Sequence, residues 1–255
     1  IFSIHKIFHA DLPVDYRRWK ARRIELVSTL GSRLLQFSEN ELTSIFSGWE
    51  SELREKSVSE LPEKQMSCMM IISILHFFRR SFEQIKKSFP FIIALTASQN
   101  RNICKTAVYL MRLLMEESND NLPFLKEALE SAKQYLTPGN WKNYIFNSLT
   151  ILNEVGKFLP TDVFGVTLSH FVEIWKAVCS DDNDVRLIGV KVINIHLKHV
   201  PSHTAENFAE SLYVDCFMNL NSKKNESYLG SILVSHLLYK SYPAIIKLQT
   251  LDRKS

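Results

Sequence analysis

Three histidines, His196, His199 and His203, form an H-x-x-H-x-x-x-H string. Residues three and four apart share a helix face, so this spacing could offer two or three imidazoles to one metal ion. Zinc needs three or four donors at about 2.0–2.1 Å. Pro201 interrupts a helix between the last two histidines, and no H-E-x-x-H frame supplies a general base. Ordinary surface or partly buried histidines account for the string. His5 and His9, at i and i+4, make a weaker pair of the same kind. Neither a metal nor a cofactor is expected.

Asp181, Asp182 and Asp184 are the next candidates for cation binding. Their spacing lacks the glycine and terminal glutamate of an EF-hand loop. Acids just before a helix are better used as caps and as partners of the helix dipole. Arg17, Arg18, Lys20, Arg22 and Arg23 put five basic residues into seven positions around Trp19. One reading is a patch for an acidic partner, phosphate backbone or lipid headgroups, extended by Arg79, Arg80, Lys86 and Lys87. The other is a solvated helix face beside the glutamate-rich segment 49–60, with Trp19 turned inward. Asn225-Glu-Ser227 matches a glycosylation acceptor, which matters only on a secretory route. No phosphate-binding loop, dinucleotide turn, nucleophile elbow or kinase signature is present, so an enzyme reading has no residue behind it.

The elements that must position these side chains are helical. The chain has 255 residues, 45% hydrophobic and 23% charged, with only 7 Gly and 8 Pro to turn a many-stranded fold. Its net charge of +4 permits an acidic partner without requiring nucleic acid. Cys68, Cys104, Cys179 and Cys216 are dispersed with no C-x-x-C pair, as expected of small buried side chains in a reducing compartment. No secretory signal is visible, and the longest apolar run, 68–78, is shorter than the roughly 17–25 residues of a membrane span. A cytoplasmic location follows, with nuclear or peripheral endomembrane sites as variants. The chain opens on Ile1 rather than Met, which predicts a fragment of something longer.

Apolar periodicity predicts eleven helices. The first covers 14–36, with Tyr16, Trp19, Ile24, Leu26, Val27, Leu30 and Leu34 on one stripe. Ser38 and Glu41 form a capping box opening the second, whose face holds Leu42, Ile45, Phe46, Trp49 and Leu53. Pro62 opens a third, and Phe82, Ile85, Phe89 and Ile93 mark a fourth, kinked or broken at Pro90. Asn100 caps a fifth, Pro123 introduces a sixth, and a seventh spans 140–158. An eighth, 160–178, is expected to turn Phe164, Leu168, Phe171, Val172, Trp175 and Val178 to the core. The ninth runs to Pro201, the tenth covers 204–220 and the eleventh 226–240. Short loops imply antiparallel neighbours.

A repeat lies beneath these helices. Ala107, Ser148, Gly189 and Gly230 stand 41 residues apart. Leu110, Ile151, Val192 and Leu233 follow three residues later, and Met111, Leu152, Ile193 and Val234 four residues later. Glycine inside a helix costs about 1 kcal/mol relative to alanine. Gly189 and Gly230 make sense where a neighbouring helix crosses closely and repays that loss. The expected fold is all-α, an α-solenoid of about six antiparallel helix pairs. It would run as one array over 1–255, clearest over 99–240.

The helix alternation, with an acidic turn leading into Val185-Arg186 and then Gly189, resembles HEAT repeats. Residues 141–241 are more narrowly similar to the N-terminal HEAT region of target-of-rapamycin Ser/Thr protein kinases. The matching stretches are Leu152-Asn-Glu-Val155, Phe171-Val-Glu-Ile-Trp-Lys-Ala177, Asp182-Asn-Asp-Val-Arg186 and Gly230-Ser-Ile-Leu233, in family order. The resemblance implies a non-catalytic scaffold segment of a very large kinase in growth and nutrient signalling. It would sit in a dimeric complex that docks a Raptor-like subunit, with the kinase domain outside this chain. Alternatives are a TOG-like tubulin-binding array, another HEAT adaptor of the transport or ribosome-biogenesis type, and a basic solenoid for nucleic acid. The first is disfavoured because Trp19, Trp49, Trp141 and Trp175 all read as helical rather than as loop-edge residues. The last has only the basic residues at 17–23 in its favour.

Overall fold

The structure is a computed structural model that describes residues 14–34, 36–38, 40–41, 44, 61–79, 88–116, 122–158, 160–221 and 227–244. Among these, eleven helices and no strand carry the regular structure. They are α1 (Tyr16–Leu34), α2 (Pro62–Arg79), α3 (Phe89–Thr96), α4 (Arg101–Glu116), α5 (Leu122–Tyr135) and α6 (Trp141–Val155), followed by α7 (Pro160–Ser169), α8 (Phe171–Val178), α9 (Asn183–His199), α10 (Ser202–Asn221) and α11 (Tyr228–Ser241). The chain divides into two compact units, Ile1–Phe124 and Leu125–Ser255. Expectations placed on His5, His9, Arg80, Lys86, Lys87, Asn225 and the helical faces at 42, 45–53 and 82–85 lie outside the described residues. No described helix is long and apolar enough to cross a membrane.

In the first unit α1, α2 and α4 pack on one another, and α3 packs on α4. The centre is Trp19, fully buried, whose indole N–H donates to the Met66 carbonyl at 2.9 Å. Burying an indole without a partner for that N–H would forfeit part of the gain. Met66, Met69 and Met70 of α2 are buried in the same unit, flexible side chains suited to an uneven space, together with the stiffer Ile72 and Ile74. Asn102 fastens the start of α1 across a wide sequence gap. Its side-chain oxygen accepts from the Tyr16 N–H at 3.2 Å, and its amide donates to the Val14 carbonyl at 3.2 Å. Asn100 caps α4 by accepting from the Asn102 N–H at 3.0 Å.

The Ser38 capping box is formed. The Ser38 N–H donates to Glu41 Oε2 at 2.8 Å, and the Glu41 N–H donates back to Ser38 Oγ at 3.4 Å. The Ser38 hydroxyl and N–H hold the Glu41 carboxyl below its ordinary pKa. Pro90 does not kink a longer helix. It lies in the first turn of α3, where a missing N–H breaks no ladder bond.

In the second unit α9 is the hub, packed by α6, α7, α8, α10 and α11, while α10 and α11 pair with each other. The single helix expected over 160–178 is two. At His170 the backbone leaves helical geometry (φ −119°, ψ 26°). The Ser169 hydroxyl donates to the Val166 carbonyl at 3.1 Å, and His170 Nδ1 also lies 3.2 Å from that oxygen. Side-chain competition of this kind weakens a ladder locally. The expected core stripe is also rotated by about one residue. Val163, Val166, Ile174, Ala177 and Val178 are buried, whereas Leu168 is 45% and Val172 60% exposed. A parallel slip affects α1, where Ile24 is 60% exposed and Arg23 is buried.

Candidate functional site

The turn before α9 is built as a helix start. Asp182 is its N-cap, accepting from the Asp184 N–H at 3.0 Å and the Val185 N–H at 3.3 Å. Ser180 Oγ accepts from the Asp182 N–H at 3.1 Å. Arg186, one turn in, reaches back to donate to the Ser180 carbonyl at 2.6 Å and to Asn183 Oδ1 at 3.1 Å. Val185 is buried. The acids and the arginine fix this corner by hydrogen bonds to backbone, and Asp181 lies exposed beside it.

The four positions spaced by 41 residues are all buried: Ala107 in α4, Ser148 in α6, Gly189 in α9 and Gly230 in α11. The residues four places on, Met111, Leu152, Ile193 and Val234, are fully buried too. Within the second unit each small residue meets a helix. Ser148 Oγ donates to the Ala132 carbonyl of α5 at 2.9 Å. A Cβ on Gly189 would stand 3.0 Å from Val178 Cγ2 and 3.4 Å from the Val178 nitrogen. A Cβ on Gly230 would fall onto the Val178 carbonyl, too close to both its oxygen and its carbon. Two glycines 41 residues apart in sequence therefore flank the same residue at the end of α8.

The basic residues of α1 do not form one cluster. At about 100° per residue, Arg17 and Lys20 fall on one flank of the helix, Arg18 and Arg22 on the other. Arg17 and Arg18 are exposed. Lys20 Nζ lies 4.9 Å from the centroid of the Tyr109 ring, and Arg112 Cζ 5.0 Å from the same ring. Arg22 pairs with Glu25 at 2.6 Å. Arg23 is buried, with its Cζ 5.9 Å from the Phe77 ring. Periodicity could have shown this, because 16, 19, 23, 26 and 30 make one stripe with Arg23 inside it.

His196 parts company with His199 and His203, which are exposed. Its ring stacks on Phe164 at 4.0 Å and meets Phe208 at 4.8 Å, with neither ring nitrogen hydrogen-bonded. Burial without a partner pushes its pKa down to about 4. Among the described residues no group of three His, Cys, Asp or Glu could hold a metal ion. All four cysteines are free thiols, and burial pushes Cys104 and Cys216 up to about 12. Trp141 and Trp175 lie in helices, and the Trp141 indole donates to the Glu173 carbonyl at 3.2 Å.

One feature escaped the reading of single helices. Between α10 and α11 an open groove of about 340 Å³ is lined by Tyr213, Phe217, Leu220, Ser235, His236 and Tyr239. Of these Tyr239, 64% exposed, stands at its surface. The signal was present in α11, where Tyr228, Ile232, Ser235 and Tyr239 follow helical spacing on a flank distinct from the buried Gly230, Val234 and Leu238.

In comparisons with protein families, curated proteins and solved structures, none matches this chain.

Proposed function

We propose that this chain is a non-catalytic HEAT-repeat scaffold for protein–protein interaction, a solenoid of antiparallel helix pairs. The observation that carries the reading is the register of 41 residues. Its small positions are buried in α4, α6, α9 and α11, and α9 packs on both α6 and α11. Corresponding helices of successive repeats stacking in this way is what a quasi-one-dimensional array requires. The motifs at 152–155, 171–177, 182–186 and 230–233 further support an N-terminal segment of a target-of-rapamycin-like Ser/Thr kinase, assembling in the cytoplasm with a Raptor-like subunit. The test is co-purification of the chain with such a subunit, together with sequencing of the transcript beyond Ser255. Further repeats leading to a kinase domain support the kinase assignment. An immediate stop codon overturns it and leaves a free-standing HEAT adaptor.

A second reading, docking of an acidic partner on α1, has the exposed Arg17 and Arg18 in its favour. Salt-dependent binding of RNA that is lost in Arg17→Glu/Arg18→Glu would assign that partner to nucleic acid, and unchanged binding in the variant would remove α1 from the interface.

A further inference from the structure

The groove between α10 and α11 combines an apolar floor with an acidic approach. Tyr213 and Phe217 line it from α10, and Tyr239 lines it from α11. By helical spacing Glu206 and Glu210 precede Tyr213 on the same flank of α10, and both are exposed. Burial raises the Tyr242 pKa and the charge of Glu206 adds to it, in keeping with a carboxylate near the end of α11. Lys240, exposed and one helical turn after the lining His236, stands at the α11 rim, so the acidic character belongs to the α10 side of the groove. The chain as a whole carries +4, so a carboxylate pair beside its aromatic groove runs against the global charge.

At about 340 Å³ the groove is near the low end of ligand pockets, about 300–1,000 Å³. Its apolar surface does not stop at the pocket wall. Exposed Ile232 and Tyr228, on the flank of Ser235 and Tyr239, continue it along α11. An apolar track that runs on along α11 beyond the pocket suits a segment that lays one face along it, more than a compact small molecule.

We propose that the α10–α11 groove docks an amphipathic helical segment of a partner protein, with an aliphatic or aromatic anchor seated between Phe217 and Tyr239 and a Lys or Arg beside it facing Glu206 and Glu210. The inference goes beyond the scaffold reading by naming a surface and a partner chemistry. It does not depend on the kinase resemblance, and its failure leaves the repeat architecture untouched.

The test uses the full chain and two fluorescent helical peptides. Both carry leucines on one face. One has lysines on the other face, and its twin has glutamate in place of each lysine. Anisotropy should show the lysine peptide binding at least about tenfold more tightly at low salt. Tyr239→Ser and Ile232→Ser, at exposed positions on the groove flank of α11, should each weaken it about five- to tenfold with an unchanged melting curve. Glu210→Lys should narrow or invert the preference between the two peptides. Equal affinity for both peptides, no binding of either, or wild-type affinity in Ile232→Ser and Tyr239→Ser overturns the proposal. Concentration-dependent dimerisation that Tyr239→Ser abolishes also overturns it, by assigning the groove to a second copy of the chain. Should Tyr239→Ser lose its fold, Ile232→Ser decides alone.

Discussion

Replacing Gly230 and Gly189 by alanine tests whether the repeat glycines are there for close helix crossing. In a solvent-facing helix interior the change would stabilise by about 1 kcal/mol, because alanine is the better helix former. Here the added methyl group meets Val178 in two different ways. At Gly189 it approaches the Cγ2 methyl at 3.0 Å, and a side-chain atom can give by a few tenths of an ångström. At Gly230 it meets the Val178 carbonyl, and backbone yields only if the end of α8 moves. Overpacking costs about 1–3 kcal/mol, and the upper end suits a backbone clash. Subtracting the propensity gain leaves Gly189→Ala close to neutral and Gly230→Ala about 2 kcal/mol destabilising. In urea denaturation followed by helical circular dichroism, that difference moves the midpoint by about 1 M. A Val178→Ala background separates the mechanisms. It should relieve Gly189→Ala, whose obstacle is the valine side chain, and leave the Gly230→Ala penalty in place. Gly230→Ala with wild-type or higher stability would refute the close-crossing account of both glycines. Gly189→Leu, which no local adjustment accommodates, should cost about 1–3 kcal/mol.

Three further outcomes follow from the same geometry. His196 has a folded pKa of about 4 against about 6.5 when unfolded, so the unfolded chain takes up the proton first as pH falls. Stability should be unaffected by this group above pH 6.5 and decline by up to about 3 kcal/mol towards pH 4, a slope that His196→Phe should flatten. An NMR titration of folded His196 near 6.5 would contradict this. Asp182→Ala removes the side chain that accepts from the Asp184 and Val185 N–H groups, and should cost about 1 kcal/mol with Asp182→Asn nearer wild type. Equal melting temperatures for the two variants would count against the cap. In the native chain Cys104 and Cys216 should resist iodoacetamide while the half-buried Cys68 and Cys179 react, and mass spectrometry showing uniform labelling would contradict the burial assigned to them.

Much of the local architecture was legible because it rests on short-range chemistry. Ser38 and Glu41, Asp182, Pro62 and Asn100 each act within one helical turn, where residue type and spacing decide the outcome. Ala107, Ser148, Gly189 and Gly230 were legible for a different reason, since a packing constraint that recurs leaves a period. What escaped was set by tertiary contacts. Phe164, Leu168 and Phe171 drew the expected stripe of 160–178 towards the bulkiest side chains. Beside the expected Val178, the crossings select Val163, Val166 and Ala177, small enough for helices to approach. The concentration of charge at 17–23 likewise suggested one surface, whereas Trp19 fixes the inward direction of α1 and thereby spreads its cations around the helix. The groove between α10 and α11 belongs to a pair of helices, and neither sequence alone defines it.

Val178 also has a mechanical consequence. Because Gly189 and Gly230 bear on it from α9 and α11, the end of α8 acts as a common pivot for these two helices. A load that draws α11 outward is passed to α8 through backbone atoms at that point, where little compliance is available. Side-chain joints such as the Phe164–His196–Phe208 stack can slide by rotamer adjustment and offer less resistance. Flexing of this unit should therefore collect at its aromatic joints and spare the glycine-bearing one, giving it a stiff axis and a soft one.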